Sequence, residues 1–94
     1  MLYAIICRDR TNMLERRQQT RPAHLEYLTH HPVRFAGPLL GEDESNPIGS
    51  ILFVDCADRS AAEAFAAEDP YRLAGLFDQV EIQAFRQVIP GMES

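Results

Sequence analysis

Ninety-four residues suffice for one domain with a single modest core, and 46% hydrophobic with 24% charged side chains is the balance of a soluble folded chain, not a disordered one. Nine basic against fourteen acidic side chains leave a formal charge of -5, a field that repels nucleic-acid phosphates and anionic membranes, so neither is expected as a partner. No window reaches the roughly 20 apolar residues that span a bilayer. Residues 1–7 lack the basic start and cleavage site of a signal peptide, so the expected location is cytoplasmic, with Cys7 and Cys56 as reduced thiols.

Residues 3–7 are apolar and β-prone, predicting a first strand. Residues 11–29 are rich in helix formers, with Thr11 or Asn12 available as an N-cap, and Leu14, Arg21, Leu25 and Leu28 fall near one helical stripe. Pro22 has no backbone donor, which predicts a kink or break at residues 18–22. His30-His31-Pro32 ends the helix, because a residue before proline is pushed out of the α region. The two adjacent histidines would point about 100° apart, which is awkward for shared metal ligation.

A second strand at 33–40, a breaker-rich hairpin loop at 41–49 and a third strand at 50–56 follow. Asp58 or Ser60 can cap a helix whose alanine-rich body is 61–67, Asp69-Pro70 stops it, and 80–88 reads as the last strand. The order is βαββαβ, an α+β plan with one antiparallel sheet and two helices on one face. The first and third strands are expected side by side at its centre, running parallel. Both are apolar on two faces, and helices cover only one, so a second copy is expected on the open face as a homodimer. Alternation of Val80, Ile82 and Ala84 with Glu81 and Gln83 places the fourth strand at an edge. The whole chain, 1–94, reads as a single domain whose last few residues form a flexible tail.

Chemistry is concentrated in two places. His24 borders the helical stripe, and Asp69 stands just before Pro70 and Tyr71. If the fold joins them, the carboxylate accepts from one imidazole nitrogen and leaves the other free as a general base. Taken singly, a structural histidine and a helix-ending Asp-Pro turn account for both residues. Gly37, Pro38 and Leu39 interrupt the second strand, either as a bulge or as a wall against which a ligand lies, and Pro70 and Tyr71 flank Asp69. Arg8 and Arg34 are either carboxylate clamps or surface charge. The arginines at 8, 10, 16, 17 and 21 read as a solvated helix face. Cys7 and Cys56 have no histidine at ligand spacing, so no metal site is expected, and Ser45, Ser50 and Ser60 lack the setting of a nucleophile.

Taken together, the apolar first strand, Arg21-Pro22-Ala23-His24-Leu25-Glu26-Tyr27-Leu28, Phe35-Ala36-Gly37-Pro38-Leu39, Gly49-Ser50-Ile51-Leu52-Phe53 and Asp69-Pro70-Tyr71 with Ala74-Gly75-Leu76-Phe77 and Val80-Glu81-Ile82 form a specific combination. It resembles the YciI-like, or YCII-related, family over nearly the whole chain. The resemblance implies a ferredoxin-like fold assembled as a dimeric α/β barrel, with an active site on His24 and Asp69. It implies a small cytosolic enzyme performing acid/base chemistry on a small organic acid or lactone, isomerase- or lyase-like, with no cofactor. The alternative is a non-catalytic domain that binds a small metabolite. Substrate contacts are expected at Gly37, Pro38, Leu39, Pro70 and Tyr71.

Overall fold

The computed structural model describes residues 1–91, and the tail expected at the end of the chain falls on 92–94, outside the described residues. Its elements are β1 (Leu2–Asp9), α1 (Leu14–Thr29), β2 (Val33–Leu40), β3 (Pro47–Asp55), α2 (Arg59–Ala67), α3 (Pro70–Leu73) and β4 (Phe77–Phe85). They form a ferredoxin-like α+β domain around a four-stranded sheet of order β2-β3-β1-β4.

Every neighbouring pair in the sheet is antiparallel, including β1 with β3. The expectation of a parallel central pair was therefore incorrect. The β1–α1–β2 crossover makes β2 parallel to β1, but the two do not touch. The β2–β3 hairpin then reverses the chain before β3 enters beside β1. β4 is an edge strand, as its alternation predicts.

The core lies on one face of the sheet. Tyr3, Ile5, Cys7, Leu52 and Val54 point into it and meet Ala62, Phe65 and Ala66 of α2 together with Tyr71, Leu76 and Phe77. Ile5, Leu52, Val54 and Leu76 are almost wholly buried, each worth about 1.5–3 kcal/mol as apolar surface removed from water. Gly49 is required where β3 passes β1: a Cβ there would lie 2.3 Å from the Cys7 carbonyl oxygen. That close approach seats the next residue, Ser50, under α1.

Several boundaries differ from expectation: β3 begins at Pro47 and not at 50, which shortens the predicted 41–49 loop, and β4 ends at Phe85 and not at 88. α1 begins at Leu14 after Met13, with no side-chain cap, because Asn12 adopts a left-handed conformation (φ 60°) and the chain turns there. The helix continues through Pro22 as one element. Gln18 and Pro22 are both exposed, so the carbonyl that the missing proline N–H leaves open lies on the solvent-facing side of the helix. The Asp69-Pro70 turn continues into a short helix, α3, and Gly75 in the left-handed region (φ 74°) ends it. β4 then starts at Phe77, three residues earlier than predicted, because its extent is set by pairing with β1 from Asp9↔Phe77 to Leu2↔Phe85. α2 is capped as expected by Asp58, whose carboxylate accepts from the Ala61 amide at 2.9 Å. Among the described residues no helix is long and apolar enough to cross a membrane.

Candidate active site

Asp69 is held by its own backbone. The following Pro70 keeps it extended (φ -59°, ψ 128°) and occupies the first helical position of α3, where a missing N–H costs nothing. In this pose Asp69 Oδ1 accepts the Tyr71 amide proton at 2.9 Å and lies 2.8 Å from His24 Nδ1. A carboxylate oxygen accepts and does not donate, so Nδ1 carries the proton and the neutral imidazole keeps Nε2 as its basic nitrogen. Both residues are buried, His24 to 6% and Asp69 to 3% exposure. The imidazole stacks on the Tyr71 ring, with centroids 3.9 Å apart and planes at 14°. The Asp69 contact thereby fixes the position and tautomer of His24, and the Tyr71 ring fixes its plane.

One helical face below sits Arg17, seven residues before His24 and therefore on the same stripe of α1. It is buried to 4% exposure and makes a two-pronged ion pair with Asp9, Nε to Oδ2 at 2.8 Å and Nη2 to Oδ1 at 2.9 Å. Nη2 also donates to Ser50 Oγ at 2.9 Å, and the guanidinium lies 4.6 Å from the centre of the Tyr71 ring. Burial alone would lower the pKa of Arg17, but hydrogen bonding and attraction to Asp9 outweigh it and raise the value. Burial likewise raises the Tyr71 hydroxyl pKa, more than the nearby Arg17 and Arg21 lower it, so the phenol remains protonated at neutral pH.

These groups border a cavity of about 200 Å³ between α1 and the β2 edge of the sheet. Arg17, Gln18, Arg21, His24, Ser50 and Tyr71 form its polar part, while Leu14, Leu25, Leu28, Ala36, Pro38 and Pro47 are its apolar part. An apolar cavity of about 150 Å³ accommodates benzene, so this one has room for a single small ring and its substituents.

Of the sequence-predicted site residues, His24 and Asp69 are in contact, and Gly37, Pro38 and Tyr71 line the cavity. Leu39 and Pro70 do not line it; Pro70 acts one step back, by fixing Asp69. Arg34 is engaged with Asp55 at 2.8 Å, and Arg8 borders a separate groove beside the β1–α1 loop, so neither is a clamp for this cavity. The predicted α1 stripe also shifts. Leu14, Arg21 and Leu25 are exposed at the cavity rim, Leu28 packs against the core as expected, and the fully buried positions of the helix are Arg17 and His24.

A family model for the YCII-related domain matches residues 1–86. The chain belongs to the YCII-related family. Among curated relatives of this YCII-related protein, Protein YciI of Escherichia coli O6:H1 is 36% identical, over 94% of this chain and 99% of that one. An uncharacterised protein of Haemophilus influenzae is 33% identical over the same shares. Among solved structures, the 5-chloro-2-hydroxyhydroquinone dehydrochlorinase of Burkholderia phenoliruptrix, in complex with 2,5-dihydroxybenzoquinone, superposes with a TM-score of 0.85 at 26% identity. That match covers 98% of this chain and all of the other.

The YCII-related site holds three residues that sequence reasoning passed over: Asp9, Arg17 and Ser50. Arg17 was masked by its neighbours, since five arginines in the first quarter read together as a solvated face. The usable signal was the seven-residue interval to His24. Asp9 and Ser50 carry no comparable local signal, because only the sheet brings them beneath α1.

Proposed function

We propose that this YCII-related protein is a small cytoplasmic enzyme that moves a proton on a small organic acid or lactone, with His24 as general acid/base and Asp69 as the group that orients it. The observation carrying this reading is the buried 2.8 Å contact between Asp69 and His24 Nδ1, with the same imidazole facing a cavity. His24 Nε2 takes a proton from the carbon or hydroxyl next to a substrate carbonyl. The released electron pair then expels a leaving group, or the proton returns at another carbon in an isomerisation. Asp69 stabilises the imidazolium that forms in between. Neither step consumes a redox equivalent, so the chemistry asks for no cofactor. Likeness to a dehydrochlorinase supports the elimination branch, in which the base removes the proton and chloride leaves with the bonding pair.

The test is a turnover screen of small lactones, keto acids and chlorinated hydroquinones with wild type, His24→Ala and Asp69→Asn. With folding verified by circular dichroism, each variant is expected to lose about 10²–10⁴-fold in kcat. Equal turnover by all three proteins would sink the assignment, and ligand binding without turnover of any compound would favour a metabolite-binding domain.

The functional unit is proposed to be a homodimer joined through the open sheet face. Phe35 of β2, Phe53 of β3 and Phe85 of β4 form a row there, with ring centroids 4.6 and 4.9 Å apart, and Phe35 and Phe85 remain 58% and 40% exposed. A contiguous aromatic row facing water is the kind of patch that a second sheet covers.

A further inference from the structure

The arginine-rich start of the chain is not uniformly a solvated face. Besides the buried Arg17, two of its members end on one short stretch of backbone. Arg10 Nε donates to the Gly75 carbonyl and Arg16 Nη1 to the Ala74 carbonyl, each at 3.2 Å. These carbonyls lie at the close of α3, where the helix supplies no further N–H groups to pair with them. Arg10 is joined there a second time, its backbone N–H donating to the Leu76 carbonyl at 2.9 Å. Neither arginine lines the cavity that His24 faces.

That stretch of backbone carries half of the dyad. His24 stands on α1, Asp69 and Tyr71 stand at the start of α3, and no strand pairing ties the two elements together. α3 is a single turn of four residues, too short to hold its shape alone, and it packs chiefly on α1. It runs antiparallel to that helix: its start meets His24, Tyr71 also faces Arg17 further back, and its end meets Arg16. Tyr71 and Leu76 anchor the inner side of the turn in the core. On the solvent side, the Asp69–His24 contact fastens one end and the two arginines fasten the other. Releasing the second fastening lets the turn swing about the first, and Asp69 and the Tyr71 ring move with it.

We propose that Arg10 and Arg16 are positioning residues for the dyad: by pinning the end of α3 to α1 and to the end of β1, they set how Asp69 and Tyr71 meet His24. They touch neither the imidazole nor the cavity and act through the backbone of residues 74 and 75. The inference rests on the acid/base reading of His24 and adds to it the groups that keep its Nδ1 proton in place.

The readout is the His24 ring itself, followed by NMR of the full chain labelled with ¹⁵N-histidine, with no substrate present. In wild type the Nδ1 proton is expected as a separate low-field resonance, with both ring nitrogens at the shifts of the Nδ1–H tautomer. The double variant Arg10→Ala, Arg16→Ala is expected to exchange that proton with water about tenfold faster and to mix the tautomers, and each single variant about two- to fivefold faster. Arg16→Lys, which keeps a cationic donor, is expected to stay within about twofold of wild type. Arg8→Ala removes an exposed arginine that makes no ion pair among the described residues and is expected to leave the resonance unchanged. Wild-type exchange and tautomer in the double variant overturn the proposal, as does an increase that Arg8→Ala reproduces or that a matching fall in the urea midpoint accounts for. Because no turnover is measured, the result does not depend on whether His24 proves catalytic in the substrate screen.

Discussion

Cys7 lies within the electrostatic reach of the dyad and the buried ion pair, yet it is built to be inert. Burial, with the Asp69 carboxylate second, pushes its thiol from 9.0 up to about 12, so almost no thiolate exists at neutral pH. Tyr27, whose hydroxyl donates to the Phe65 carbonyl at 2.8 Å, is pushed up to about 12 as well, chiefly by burial. Both folded-state values are raised, so the folded chain holds these protons more tightly than the unfolded chain does. Their contribution to stability is full below about pH 9 and is lost as pH rises toward 12. The urea midpoint is accordingly expected to stay level up to about pH 9 and fall beyond it, less steeply in Cys7→Ala. A midpoint that holds level to pH 12 would contradict this account. At this scale the sequence revealed individual candidates and no distances. His24 and Asp69 were visible because their residue types are chemically suggestive, whereas Arg17 was hidden in a run of similar charges and needed its burial to stand out.

Among the elements, β3 carries the tightest steric requirement. Its Gly49 faces the Cys7 carbonyl, and backbone has nowhere to move without breaking the Arg8↔Gly49 and Cys7↔Ser50 pairing. Gly49→Ala is expected to cost about 1–3 kcal/mol, in the range of overpacked cores. It should also displace Ser50, so that binding of cavity ligands weakens together with the urea midpoint. A variant with wild-type stability would show that the strand relaxes freely. Strand and helix identities were legible from composition and from local stop signals: Val33 to Leu40 emerged with its predicted bounds, and Asp58 capped α2 as read. Boundaries that depend on a partner were not. The start of β4 follows β1, which lies some 70 residues away in the chain, and α3 exists because Pro70 and the Asp69 carboxylate together nucleate one turn.

For the whole molecule, the consequence of a sheet with helices on one side is an uncovered second face. Phe53 sits at the middle of its aromatic row, between Phe35 and Phe85. Sedimentation equilibrium is expected to find a dimer for the wild type and a monomer for Phe53→Glu, since a buried unpaired carboxylate is incompatible with two sheets in contact. A wild-type monomer at micromolar concentration would remove the dimer from the functional picture.

The βαββαβ order, the class of the fold and its family were already written in the linear chain, because propensity, capping and breaker residues act over a few neighbours and motif residues keep their spacing. Strand direction at the centre, the junction of His24 with Asp69, and the Asp9–Arg17–Ser50 cluster beneath them arose from packing. Each joins residues far apart in the chain, and such contacts depend on how the sheet is ordered and on which face of α1 turns inward, neither of which any local stretch encodes.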